Sequence, residues 1–262
     1  MDIWLLNHFS TVALAGLLVG GAVFLGLAGC LLVRRYVPRL RDGEYNEMAG
    51  VVLGMYAAIY GIILAFVIVA EWEGLDAAEA NVAAEATQSA EVLRDSAAFP
   101  PAQQQRISAA MGAYVHAVVD EQWPLMRKGT PDPNLTNPQT VRLYRVLQDY
   151  EPATEAEKTY YTQVVTTLGE VAGARRTRME DSQQSLPILL SVLVYGGALV
   201  MLPLTWLYGI KSRTAQMMFV TSVAVLIGVS LLLCLTLDHP FSGSLAVSPD
   251  PFKEGVLARY WP

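Results

Sequence analysis

The sequence predicts an all-α membrane protein with four transmembrane helices in two hairpins and a helical extramembrane domain between the second and third spans. Four apolar runs carry this prediction, at residues 11–33, 49–70, 186–210 and 216–237. Each run reaches the length of about 20 residues that a helix needs to cross a bilayer core. None of them contains Asp, Glu, Lys or Arg, each of which costs about 2.5–3.5 kcal/mol at the bilayer centre. The lipid bilayer is therefore the first expected partner.

A soluble protein with four buried helices is the alternative. Buried core helices are usually shorter than these runs, and a chain of 262 residues is too short to surround four of them with a shell. The composition, 53% hydrophobic and 16% charged with a mean hydropathy of +0.35, favours the membrane protein. Residues 1–10 contain no Lys or Arg, so we expect no cleavable signal peptide and a retained first span. The expected location is the plasma (inner) membrane, crossed several times.

The first hairpin, residues 1–70, has a strongly basic loop between its spans, with Arg34, Arg35, Arg39 and Arg41. The short loop of the second hairpin carries Lys211 and Arg213. Short loops rich in Lys and Arg stay in the cytoplasm, which predicts that both termini and the polar segment lie outside. Arg175, Arg176 and Arg178, close to the third span on the other side, count against this orientation.

Small residues recur at intervals of four and seven in the first hairpin, namely Gly16, Gly20, Gly50, Gly54 and Gly61. Such spacing permits close approach of two helices in a membrane. We interpret these glycines as helix-packing residues in preference to ligand contacts.

The polar segment, residues 71–185, is predicted to be entirely helical, because alternating β-branched runs are absent from its sequence. Breaks are expected at residues 100–101, 128–138 and 151–152. Its first helix continues the second span without a breaker and is rich in alanine. Further helix starts are predicted at Asn137, as an N-cap before Pro138, and at Thr154 with Glu157 in capping-box spacing.

The second hairpin covers residues 186–237, and an irregular tail follows at residues 238–262. The tail combines prolines and small residues with aromatic residues. We interpret it as a strap over the extramembrane domain or over the membrane interface, where Trp and Tyr are favoured.

Catalytic chemistry has no support in the sequence. His8, His116 and His239 are far apart and do not stand at metal-ligand spacing. The motifs of a phosphate-binding loop or a nucleophile elbow are not present either. We therefore expect no enzyme activity, no catalytic residue, no metal, no cofactor and no nucleic-acid partner.

Acidic residues dominate the polar segment, with 17 acidic against 10 basic side chains over residues 71–185. One interpretation is a solvated helix face that keeps the domain soluble. The other is that Glu71 or Glu73, at the end of the second span, repeats around the axis of an oligomer and concentrates cations at a pore mouth. Bulky residues of the second span at intervals of three and four are compatible with an apolar constriction, and the candidates are Ile59, Ile63, Phe66 and Val67. A face toward lipid or another helix would have the same pattern.

Four segments in order resemble a family of bacterial and plastid membrane proteins described as bestrophin-like. They are YAAIYGIILAFVIVAEWEGLDAAEANVAAEA, DEQWPLM, ARRTRM ahead of a Leu-Pro, and DHPFSGSLAVSPDPF. The resemblance covers the chain from about Gly50 onward, and function within this family is largely unassigned.

The resemblance also implies a comparison with bestrophins proper, which are pentameric anion channels with an apolar neck in the second span. By this analogy the neck would lie at Ile59, Ile63 and Val67, or at Ile62 and Phe66. The acidic run that binds calcium in bestrophins is replaced here by Ser242-Gly243-Ser244, so we expect no calcium clasp. The resemblance further implies a cytosolic helical domain, opposite to the orientation that the arginines predict.

Two functional hypotheses follow. The first is a homo-oligomeric ion channel whose second span lines the pore, with ions as partners. The second is a non-conducting membrane scaffold or sensor whose helical domain binds another protein.

Overall fold

The computed structural model describes residues 2–43 and 45–261, and within them the chain folds into helices without a β-strand. The α-helices are α1 (Asp2–His8), α2 (Thr11–Tyr36), α3 (Asn46–Asp95), α4 (Pro101–His116), α5 (Trp123–Arg127), α6 (Asn137–Gln148), α7 (Glu155–Asp181), α8 (Ile188–Leu207) and α9 (Arg213–Leu237). A π-helical turn, Ala117–Gln122, joins α4 to α5. Four helices, α2, α3, α8 and α9, are long and apolar enough to cross a membrane. The predicted all-α fold with four spans is confirmed.

The chain divides into two compact units, and the division falls inside α3. Unit 1 comprises Met1–Glu73 and Ser185–Asp238, and unit 2 comprises Gly74–Gln184 and His239–Pro262. The C-terminal tail, which the sequence leaves as a separate segment, thus groups with the polar segment.

Unit 1 is a bundle of the four spans. In it α2 packs along α9, and both contact α8. The core combines Tyr60, Leu64 and Val67 of α3 with Val194 and Met201 of α8 and with residues of α2 and α9. At one end of the bundle, Arg34 donates hydrogen bonds to the carbonyl oxygens of Ile210 (2.8 Å) and Lys211 (3.2 Å). One arginine of the basic loop region therefore has a structural role.

Close helix contacts in unit 1 occur at glycines other than the predicted ones. A Cβ atom at Gly29 would lie 2.1 Å from the Trp206 ring, and one at Gly228 would lie 2.7 Å from the Cα atom of Val19. Among the predicted glycines, a Cβ at Gly50 would lie 3.4 Å from the Tyr208 ring. The positions Gly16, Gly20, Gly54 and Gly61 have open space around them. A packing role for these four glycines therefore stays a prediction.

Unit 2 is a helical domain closed by the tail. The helices α4 and α6 pack against each other, and Phe241 and Phe252 of the tail are buried beside Trp123, with ring centroids 5.7 and 6.3 Å away. The tail is more regular than its sequence suggests, since it forms short 3₁₀ helices at Asp250–Lys253 and Gly255–Tyr260. Apolar burial of its aromatic residues holds it on the domain.

Helix starts in unit 2 agree with one predicted cap and correct the other. The Thr154 hydroxyl accepts a hydrogen bond from the Glu157 amide at 3.1 Å, so the predicted N-cap is confirmed. The start at Asn137 differs, because Thr136 occupies the N-cap position. The Thr136 hydroxyl is buried and accepts a hydrogen bond from Arg175 Nε at 2.5 Å instead of capping the helix.

The π-helical turn has a local cause in the sequence. Pro124 is the second residue after its end. A proline inside a helix has no N–H to donate, and its ring clashes with the carbonyl four residues earlier. Widening the preceding turn relieves this clash. The turn also brings Gln122 and Trp123 into the core of unit 2, where both are buried.

Candidate functional site

The exposed face of α3 in unit 1 carries the bulky residues that the sequence assigns to a constriction. The exposed fractions are 59% for Ile59, 58% for Ile62 and 73% for Phe66. Residues 62, 66, 69 and 73 follow the spacing of one helix face. We call Ile59, Ile62, Phe66, Val69 and Glu73 the α3 stripe.

The other two constriction candidates lie elsewhere on α3. Val67 is only 5% exposed and belongs to the core of unit 1. Ile63 is half-buried and packs against that core. Burial of Val67 favours a packing role, because its side chain already contacts the other spans of its own chain.

Two tyrosines fix the rotation of α3 about its own axis relative to α8. Tyr60 donates a hydrogen bond to the carbonyl of Val194 at 2.7 Å, and Tyr56 donates one to the carbonyl of Gly197 at 3.2 Å. A Cβ atom at Gly197 would lie 2.2 Å from the Tyr60 ring, so only glycine fits there. These contacts to α8 orient the α3 stripe away from the core.

An apolar groove lies between α3 and α8, with a volume of about 790 Å³. Ile59 and Ile63 line it from α3, and Leu189, Leu193 and Val200 line it from α8. Its apolar lining suits a lipid chain or an apolar helix.

The two candidate mouth residues differ in their surroundings. Glu73 is exposed, whereas Glu71 is half-buried. Burial, together with the negative charge of Asp238, raises the pKa of the Glu71 carboxyl to about 7. Asp238 itself accepts a hydrogen bond from the Leu186 amide. At neutral pH, the Glu71 carboxyl is therefore only partly charged.

Unit 2 contains a buried polar cluster that the sequence analysis missed. Arg178 and Glu85 are both fully buried, and Arg178 Nε donates to Glu85 Oε2 at 2.7 Å. Arg178 also donates to Glu85 Oε1 at 3.1 Å and to Gln122 Oε1 at 3.0 Å, and the Tyr114 hydroxyl donates to Glu85 Oε1 at 2.6 Å. The Trp123 ring lies 5.6 Å from the guanidinium carbon.

Glu85 therefore does not belong to a solvated acidic face, which is one interpretation of the acidic residues in the polar segment. One sequence signal could have indicated this ion pair: an acidic residue lies in the middle of α3, and the segment ARRTRM supplies arginines that could pair with it. Burial raises the pKa of the Tyr114 hydroxyl, and the neighbouring Glu85 charge raises it further. Because its donors and acceptors are matched, the cluster is a structural element that ties α3, α4, the π-helical turn and α7 together.

Metal-binding chemistry is not assembled in the described part of the chain, where no group of three His, Cys, Asp or Glu residues could hold an ion. By the resemblance, bestrophins bind calcium in the segment after Pro240-Phe241. In this chain, that segment makes a structural contact instead. Ser242 is buried and donates a hydrogen bond to the carbonyl of Arg127 at 3.0 Å.

Comparison with known proteins gives one finding. A family profile described as Bestrophin-like domain matches residues 20–252. No curated protein and no solved structure matches the chain significantly. The match begins inside α2 and includes the other three spans, the helices of unit 2 and the segment through Phe252, and so the chain belongs to the Bestrophin-like family.

Proposed function

We propose that the protein is a homo-oligomeric ion channel in which the α3 stripe of each copy faces a shared axis. The observation that carries the proposal is the change from large apolar side chains to an acidic side chain along this stripe. Ile62 and Phe66 are large, apolar and exposed, and Glu73 follows on the same face. In a ring, the first two would form a constriction that gates by dewetting, and Glu73 would form a ring of carboxylates at its mouth.

The proposal narrows the candidates within the second span. Ile62 and Phe66 are assigned to the constriction, and Ile59 borders both the exposed face and the groove beside α8. Ile63 and Val67 pack against the core of unit 1. Glu73 is preferred to Glu71 at the mouth, because a carboxyl with a pKa of about 7 is only partly charged at neutral pH.

Current through purified protein in a planar bilayer tests the pore. Phe66→Ala should raise the conductance of single channels, because it removes an apolar barrier at the constriction. Leu64→Ala is the matched control, since Leu64 is 7% exposed in the core of the same helix and should affect stability without raising conductance. Unchanged conductance in both Ile62→Ala and Phe66→Ala would show that the α3 stripe does not form the gate.

Selectivity is tested by the reversal potential in asymmetric salt. A ring of Glu73 carboxylates favours cations, whereas the resemblance to bestrophins implies anions. Glu73→Gln should reduce cation current more at 0.01 M than at 1 M salt, where the Debye length is about 3 Å. If the reversal potential indicates anion selectivity and Glu73→Gln leaves it unchanged, Glu73 does not form the pore mouth.

The alternative function is a non-conducting scaffold or sensor. A groove of about 850 Å³ between α4 and α6 favours it, because Arg106, Arg142 and Arg145 would suit an acidic protein partner. An oligomer that stays silent under both anion and cation gradients would support the scaffold and exclude the channel.

A further inference from the structure

An acidic groove runs along the exposed side of α3 in unit 2, with a volume of about 500 Å³. Its floor and walls are small or apolar, and its lining includes Ala80, Ala83, Val247 and Pro251. Asp76 and Glu79 contribute exposed carboxylates. Within the described residues, neither carboxylate has a hydrogen bond or ion pair to the protein, so both remain accessible to a partner beside an apolar surface.

The complementary chemistry lies on α6 of the same unit. Arg142 and Arg145 are exposed and three residues apart, which places them on one helix face. In the described part of the chain, neither guanidinium has a hydrogen bond or ion pair. Their neighbour Arg106 differs, since it donates to Asp149 at 3.4 Å. Val141, 52% exposed, adds an apolar contact beside the pair.

We propose that Arg142 and Arg145 of one copy dock into the acidic groove of a second copy of this chain. Arginine suits such a groove, because its methylene stem can cover alanine surface while its planar head forms paired hydrogen bonds with a carboxylate. Asp76 and Glu79 supply one carboxylate for each guanidinium. The inference rests on the homo-oligomer of the proposed function and names the surfaces that would join its copies.

A second copy is favoured over a foreign partner because every chain carries both halves of the interface. The two halves are different surfaces, so the contact is heterologous and propagates from copy to copy until a ring closes. The transmembrane helices confine all copies to one membrane, which raises their effective concentration and favours a contact of modest intrinsic affinity.

Charge reversal tests the interface in the full-length protein in mild detergent, with molar mass measured by light scattering at low salt. Arg142→Glu with Arg145→Glu should weaken assembly by at least about tenfold, because like charges then face each other. Asp76→Arg with Glu79→Arg should do the same. Combining all four substitutions should restore the oligomer. Lys128→Glu with Arg176→Glu is the matched control, since it changes the net charge equally at exposed positions outside both surfaces.

Cysteine cross-linking gives a second readout that does not depend on stability. A chain with both Glu79→Cys and Arg145→Cys should form a ladder of disulfide-linked multimers on oxidation, whereas Glu79→Cys alone should not. The native Cys30 and Cys234 are buried and provide a low background. The highest band of the ladder would count the subunits of the ring.

The outcomes of these experiments distinguish a failure of the proposed interface from a failure of the proposed channel function. An oligomer that survives both charge reversals and forms no ladder would overturn the interface while leaving the pore intact. Loss and rescue of the oligomer by the charge exchange, in a protein that is silent in bilayers, would support the interface and exclude the channel. A monomeric wild-type protein would overturn both.

Discussion

At the scale of single residues, Arg178 has the most unusual environment in unit 2. Its side chain is fully buried, yet it keeps its charge, because the coulombic and hydrogen-bonding effects of Glu85 offset the burial and raise its pKa. Removing one partner of such a pair leaves an uncompensated charge in the core. The stability of unit 2 should therefore depend strongly on both residues together.

Arg178→Ala should lower the free energy of unfolding by about 3–5 kcal/mol. Thermal unfolding of the full-length protein in detergent, followed by circular dichroism, measures the loss. Arg176→Ala is the control, because Arg176 is exposed and should change stability by less than about 0.5 kcal/mol. Glu85→Leu combined with Arg178→Met should cost less than either single change. A loss equal to the sum of the two single losses would show that the pair is not coupled.

Glu71 should make stability depend on pH in a defined direction. Its carboxyl has a pKa near 4.5 when unfolded and about 7 when folded, so the unfolded chain loses its proton first. The folded state is therefore penalised progressively between pH 4.5 and 7, and fully above pH 7. Glu71→Gln removes the titrating group. Its melting temperature should exceed that of the wild type at pH 8, and the difference should disappear near pH 4.5; a difference independent of pH would contradict the shift.

At the scale of helices, the ends of α7 and α6 show when a cap can be predicted. The Thr154 cap depends on residues within four positions, and Glu157 completes it by accepting hydrogen bonds from the Ala153 amide (2.8 Å) and the Tyr150 hydroxyl (2.6 Å). The start of α6 depends on Arg175, which is 39 residues from Thr136 and takes its hydroxyl. Local spacing therefore predicts the first helix start and not the second.

Thr154→Ala should cost about 0.5–2 kcal/mol, because it removes the acceptor for the Glu157 amide at the start of α7. Thr159→Ala serves as the control, since this exposed threonine lies inside the same helix, where alanine is the better helix former. Thermal unfolding of both variants gives the comparison. A loss in Thr159→Ala as large as that in Thr154→Ala would exclude a specific cap.

At the scale of the whole molecule, the orientation in the membrane follows from the basic loops and is testable. The positive-inside rule predicts that a cysteine in the polar segment is labelled by an impermeant probe in intact spheroplasts. Thr130→Cys is a suitable position because it is exposed, whereas the adjacent Gly129 has a φ of 70° that disfavours other residues. The wild type, with its two buried cysteines, gives the background. Labelling only after lysis would place the domain in the cytosol, as the family resemblance implies.

The sequence by itself determined the four spans, the helical character of the polar segment and the family, because length, apolar composition and local motifs are properties of contiguous residues. The tertiary structure decided which residues of α3 are exposed, which glycines make helix contacts and that Glu85 is buried with Arg178. These outcomes depend on partners 90 or more residues away, such as the 93 positions between Glu85 and Arg178 and the 134 between Tyr60 and Val194. Periodicity places Ile62, Ile63, Phe66 and Val67 on a helix, but only the packing of other helices against α3 separates its core side from its free side.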